Sequence, residues 1–133
     1  IDVNVSILNE LKDEGCIVIT DFIEDIHELY QLADCYIFPV LDEIRAIECP
    51  LSVLEAAACN LPIISTKFGG LQHIFEEKDG FYFVDTVPEI DLLVEKVKIN
   101  VSNINTRSQV EEYSWKNIGS NYLSFYEKIL AKD

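Results

Sequence analysis

The 133-residue sequence predicts an α/β fold built on a parallel sheet. Four apolar, β-rich runs recur, at Cys16–Thr20, Cys35–Val40, Pro62–Thr66 and Phe81–Val84. They are continuous rather than alternating, as in strands covered on both faces. Helical patterns lie between and around them, and strand alternating with helix is the signature of parallel α/β architecture. A helix of small and apolar residues, Leu51–Cys59, runs into the third of these strands through a turn at Asn60 and Pro62. The length suits one domain, able to bury about two-thirds of the surface of its unfolded chain.

Each element has its own local signal. Val5, Leu8 and Leu11 mark a first helix ended by Gly15. Phe22, Ile26, Leu29, Tyr30 and Ala33 mark a second, with Asp21 as its N-cap and Glu24 as the capping partner. The Leu51–Cys59 helix is the third, and a short one covers Leu71–Glu77. Thr86 and Glu89 form a capping-box pattern with Pro88 in the first turn, opening a helix through about Ile99. Val101–Thr106 is polar and reads as a loop. Ser114 caps a last helix whose Trp115, Ile118, Tyr122, Phe125 and Ile129 share one stripe. That stripe is expected to pack mainly on this domain, with part of it exposed.

Composition excludes several classes of function. The 24 acidic against 10 basic residues give a formal charge of −14, which repels nucleic acid and anionic lipid. Nucleic acid is therefore not an expected partner, and the acidity reads as solubility. No run reaches the length of a membrane span, and the N-terminus is not a signal peptide. Cys16, Cys35, Cys49 and Cys59 form no CxxC pair, and three sit in apolar runs. Buried, reduced thiols in a cytoplasmic protein are the expectation, with no metal site. With no methionine, the chain is expected to be a piece of a longer protein.

The functional expectation rests on the run from Glu48 to Thr66 and on Gly69 and Gly70 after it. A helix N-terminus facing the carboxyl edge of a sheet is an anion site, because its first amides lack intrahelical partners and carry the positive dipole end. Here those amides belong to Leu51 and Ser52. Glu55 lies in the second turn, and a carboxylate beside an anion site suits a ligand that offers hydroxyls as well as phosphates. A nucleotide or nucleotide sugar fits. The alternative for Glu55 is a solvated surface glutamate, which its apolar neighbours Leu54, Ala56, Ala57 and Ala58 disfavour. Gly69 and Gly70 either let a ligand approach the backbone closely or form a plain turn. His27 and His73 read as surface residues. Phe22, beside Asp21 at the end of the first run, reads preferentially as a core residue stapling the next helix.

Several strings stand in a recognisable order: LYQLADCYIFPV (Leu29–Val40), LSVLEAAACNLPIIST (Leu51–Thr66), FGG (Phe68–Gly70) and DGFYFV (Asp79–Val84). YSW (Tyr113–Trp115) follows, before an apolar helix with Tyr122 and Tyr126. The set resembles the C-terminal, donor-binding domain of the retaining glycosyltransferases of family 4, which have the GT-B fold. The resemblance implies a Rossmann-like parallel sheet with flanking helices, the C-terminal half of a GT-B fold without its first strands. Residues 1–133 would then be an N-terminally truncated nucleotide-sugar (donor) binding domain, with the acceptor domain absent. The implied reaction moves a sugar from a nucleotide diphosphate sugar to an acceptor hydroxyl with retention of configuration, with no metal or other cofactor. The implied partners are the nucleotide-sugar donor and the protein's own N-terminal acceptor domain. The implied location is cytoplasmic, any membrane contact coming from parts outside this sequence.

The family pattern has two glutamates separated by seven residues. The second, which binds the ribose hydroxyls, falls on Glu55; the first, which contacts the donor sugar, falls on Ile47, with Glu48 one place later. Glu48 is therefore the candidate catalytic residue, with Asp42 and Glu43 in the same loop as substitutes. The resemblance also assigns Leu51 and Ser52 to the phosphates, and Asp21 and Phe22 to the region facing the nucleobase. Relatives carry a glutamate where this chain has His73. Their basic pair of arginine and lysine has no match before Cys16, and Arg45 and Lys67 are the only cations near the motifs. In a strand order of 3-2-1-4-5-6, the four runs look like strands three to six. Strands three and four are then separated by two that are missing. The isolated chain is expected to expose a sheet edge, rearrange, or form a dimer by strand exchange. The alternative function is a degenerate, non-catalytic nucleotide-sugar binding or interaction module. A sugar epimerase-type domain is disfavoured because no GxGxxG loop is present.

Overall fold

The computed structural model describes residues 4–40, 48–99 and 103–131. Among them, β1 (Tyr36–Phe38), β2 (Ile63–Thr66) and β3 (Phe81–Val84) form one parallel sheet in the order β1-β2-β3. The α-helices are α1 (Val5–Asp13), α2 (Ile26–Leu32), α3 (Leu51–Ala58), α4 (Leu71–Ile74), α5 (Pro88–Ile99) and α6 (Trp115–Leu130), with 3-10 turns at Thr106–Gln109 and Glu111–Tyr113.

Every residue of β2 is buried. Ile63 pairs in register with Phe81, and both face a core with Val53, Ala56 and Ala57 of α3 and Tyr30 of α2. Ile64 points the other way and meets Val84 with Ile90 and Val97 of α5. Side chains of a strand alternate between faces, so a strand sandwiched by helices is apolar throughout. Ala56 and Ala57 leave only methyl groups between α3 and the strands, which brings helix and sheet close.

The C-terminus of α3 is closed by hydrogen bonds from Asn60 N to Ala57 O (2.8 Å) and from Leu61 N to Ala56 O (3.1 Å), with Asn60 left-handed at φ 64°. This is a Schellman arrangement, in which asparagine is tolerated. The segment around Thr106 locks it. Thr106 Oγ1, fully buried, donates to Leu61 O at 2.8 Å, Arg107 Nε donates to Ala58 O at 2.7 Å, and Asn60 Nδ2 donates to Ile104 O at 3.2 Å. Because α3 runs antiparallel to the strands it connects, pinning this end sets its N-terminus at their carboxyl edge.

Several expectations are corrected. The run Cys16–Thr20 pairs with no strand among the described residues, and Ile17 is 91% exposed. Its apolar sequence suits a covered strand, but it joins neither open edge of the three-stranded sheet. The second helix begins at Ile26, with no side-chain cap bond, so Asp21 and Glu24 do not cap it. Phe22 is 92% exposed and staples nothing. The thiols are not fully buried: Cys16 is exposed, and Cys35, Cys49 and Cys59 are half-buried. Burial, assisted by the charge of Asp34, pushes the Cys35 thiol up to about 11. The helix expected over Leu71–Glu77 stops at Ile74.

Helix α5 matches its expected span, but its box works differently: Thr86 Oγ1 donates to Glu89 Oε1 at 2.7 Å, and Glu89 Oε2 accepts from Asp85 N at 3.2 Å. Ser114 does cap α6, its side chain accepting from Asn117 N at 3.4 Å. The stripe beyond it is mostly uncovered: α6 has no buried residue, Trp115 is 90% exposed, and of the stripe only Ile118 is half-buried. Among the described residues its main contact is with the Glu111–Tyr113 turn, and the helix does not lie on the apolar faces of the sheet domain.

The outer edge of β1 has no strand beside it among the described residues, and Ile37, Leu32, Ile17 and Phe22 are exposed. Open edges with apolar neighbours pair with other chains. The isolated chain is expected to self-associate, more strongly as salt screens its −14 charge. Size-exclusion chromatography with light scattering should show masses above 15.2 kDa that rise with concentration and added NaCl. A constant monomer would mean that the edge is protected.

Candidate functional site

Helix α3 starts after Pro50, which is buried and extended (φ −70°, ψ 110°) and makes no side-chain cap. The first-turn amides of Leu51 and Ser52 therefore have no partner within the helix or from a cap. Leu51 is exposed and Ser52 half-buried. Ile47, Asp42, Glu43 and Arg45 lie outside the described residues. The β1–α3 connection is described at Pro39 and Val40 and again from Glu48 onward.

The backbone of Glu48 packs on the turn after β2. Gly70 N donates to Glu48 O at 2.8 Å. Gly69 has φ +49°, and a Cβ there would lie 3.0 Å from the Glu48 Cα and carbonyl carbon and closer still to the carbonyl oxygen. The close approach that glycine permits is thus made by the chain itself. Thr66 Oγ1 donates to Val40 O at 2.6 Å, which joins the ends of β2 and β1. The two connections at the carboxyl edge are fastened to each other in both places.

A cleft of about 410 Å3 opens there, lined by Glu48, Lys67, Phe68, Gly69, Gly70, Gln72 and His73. Lys67 Nζ stands 3.0 Å from Asp85 Oδ1, with both side chains exposed, so the ammonium is shared with solvent. Glu55 is exposed on α3, where Tyr30 Oη donates to its Oε2 at 3.3 Å. Burial pushes the Tyr30 phenol far up, and Tyr36 and the Glu55 carboxylate add to this. The phenol is a permanent donor at any physiological pH.

The structure thus brings Glu48, Gly69 and Gly70 together and sets Leu51, Ser52 and Glu55 along one helix. Asp21 and Phe22 stand apart, lining an apolar depression with Ile17, Ile19 and Ile26. A cavity of about 600 Å3 at the opposite end of α3, beside Asn60 and Pro62, contains none of the residues expected from sequence, although Tyr30, the partner of Glu55, also lines it. Sequence reasoning passed over Lys67 and His73 as cleft residues, and Tyr30 as the partner of Glu55. Only Tyr30 had a usable signal: a tyrosine on a buried stripe needs a partner for its hydroxyl.

A short parallel sheet with a helix start and a fastened glycine turn at its carboxyl edge defines a Rossmann-like domain of GT-B type. Residues 4–101 match the family described as glycosyl transferases group 1, and the chain belongs to that family. It is 33% identical over 81 residues to a probable sucrose-phosphate synthase of Thermosipho melanesiensis, covering 59% of this chain and 19% of that protein. It is 27% identical over 116 residues to spore coat protein SA of Bacillus subtilis, covering 79% of this chain and 29% of that protein. The chain thus spans less than a third of either curated relative. Among solved structures, the sucrose-phosphate synthase of Thermosynechococcus elongatus superposes with a TM-score of 0.71 at 18% identity, over 97% of this chain and 35% of that one. That likeness establishes the fold. Among the described residues, no helix is long and apolar enough to cross a membrane.

Two glycine substitutions should separate. Gly69→Ala forces a left-handed alanine, costing about 1–2 kcal/mol, and also pushes a methyl into the Glu48 carbonyl. Gly119→Ala, inside α6 with open space around it, should stabilise that helix by about 0.5–1 kcal/mol. Thermal and urea unfolding of both variants checks the opposite signs.

Proposed function

We propose that this chain is the donor-binding part of a glycosyltransferase that moves a sugar from a nucleotide diphosphate sugar to an acceptor hydroxyl with retention of configuration. The observation that carries this is the arrangement on α3: uncapped first-turn amides at the carboxyl edge, and a tethered carboxylate one turn further in. The amides of Leu51 and Ser52 take the diphosphate, where their dipoles meet the negative charge that grows as the leaving group departs. Glu55 accepts hydrogen bonds from the ribose hydroxyls. Glu48, beside the cleft, faces the sugar. Gly69 and Gly70 act on the ligand indirectly, by holding the Glu48 backbone. Lys67 is the cleft cation, exchanging Asp85 for a phosphate oxygen. In the transfer, the bond from the sugar C1 to phosphate oxygen breaks and the acceptor oxygen bonds to C1. The acceptor proton leaves with the nucleoside diphosphate. No resident metal enters this scheme.

The acceptor site belongs, in this reading, to an N-terminal domain of the same protein, which also fixes the acceptor. The two curated relatives carry different names, so similarity in this domain does not choose a sugar-phosphate acceptor over another. A second reading, a binding module without turnover, is favoured by Ile47 standing where the resemblance expects the sugar-contacting glutamate.

In the complete protein, Glu55→Ala is expected to raise the donor KM about tenfold or more, since a hydrogen bond to a charged group contributes about 1.5–3 kcal/mol. Steady-state kinetics with UDP-, GDP- and ADP-linked sugars measures this. Donor binding by calorimetry without any turnover would select the module; unchanged donor kinetics would remove Glu55 from the site.

A further inference from the structure

Tyr30 joins the core to the candidate site. It is 8% exposed and belongs to the main apolar cluster with Val53, Ala56 and Ala57. Its ring meets Tyr36 edge-on, with centroids 5.7 Å apart and planes at 82°. That packing fixes the ring, and with it the direction of the hydroxyl. The hydroxyl emerges from the core at Glu55, 25 residues later on a different helix, and donates to Oε2 at 3.3 Å.

A glutamate exposed on a helix samples several rotamers and loses that freedom when it binds. One oxygen held by a donor fixed in the core removes part of this loss beforehand and leaves Oε1 available as an acceptor. A carboxylate so oriented is suited to a pair of neighbouring hydroxyls, because it has lone pairs free on both oxygens and a fixed plane.

We propose that Tyr30 is a positioning residue for recognition of a vicinal diol, its hydroxyl holding one oxygen of Glu55 so that the other accepts from the ribose of the donor. This rests on the donor-site reading of Glu55 and adds the residue that sets its geometry. Tyr30→Phe keeps the ring and the core and removes only the donor.

The test is calorimetry on the intact protein with UDP, GDP and ADP, then with the 2′,3′-dideoxy form of whichever binds best. The wild type is expected to prefer the ribose form by about tenfold or more, as hydrogen bonds to a charged group allow. Tyr30→Phe, with a Tm near the wild-type value, is expected to lose about three- to tenfold of that preference while binding the dideoxy form unchanged, the range one neutral-donor bond supplies. Glu55→Ala should abolish the preference, and the double variant should match Glu55→Ala. Full preference in Tyr30→Phe together with loss in Glu55→Ala overturns the positioning role and leaves the donor site standing. Equal weakening of both nucleotide forms in Tyr30→Phe assigns the tyrosine to packing alone and likewise overturns it. A wild type that binds none of the three nucleotides, or binds ribose and dideoxy forms alike, overturns the reading of Glu55 and this proposal with it.

Discussion

The left-handed turn at Asn60 sets where the working end of α3 stands. The helix stops when Leu61 N bonds to Ala56 O, and Pro62 then feeds the chain into a strand with neighbours on both edges and helices on both faces. A helix of eight residues is about 12 Å long, so fixing one end within hydrogen-bond tolerance fixes the other. Thr106, Arg107 and the Asn60 side chain make that fixing redundant, from a segment over forty residues later in sequence. The helix start therefore gains its position from contacts made at the far edge of the sheet.

The two edges of the sheet are organised differently. At the amino edge, side chains reach carbonyls, and the contacts depend on residue identity. At the carboxyl edge, one side-chain bond, Thr66 Oγ1 to Val40 O, is joined by a main-chain contact, Glu48 O with Gly70 N, over a glycine with no side chain. Glu55 links the two regimes, since its carboxylate is held by a side chain rooted in the core.

Much of this was legible from residue order. Phe81–Val84 is a strand with the expected bounds, and Pro88–Ile99 a helix with the expected span, because in both the local pattern and the tertiary environment agree. The run Cys16–Thr20 shows where pattern stops being informative. Continuous apolar residues record what a segment is suited to be covered by, and a strand exists only if a neighbour supplies the other half of its hydrogen bonds. The same holds for α6, whose period is helical but whose stripe, apart from half-buried Ile118, stays exposed. Phe22 read as a staple because its helix was placed four residues too early. In the site, Gly69 announced conformational freedom without naming the group that uses it. The bond from Tyr30 to Glu55 joins positions 25 apart, and no spacing rule connects them.

The main-chain contact between Glu48 and the glycine turn has an evolutionary consequence. Because the fastening uses a carbonyl and an amide, the backbone at Glu48 is held whatever side chain that position carries. A substitution at position 48 alters the side chain presented beside the cleft while this main-chain contact stays available. The strict requirement passes instead to Gly69, whose missing side chain is what lets the Glu48 carbonyl approach.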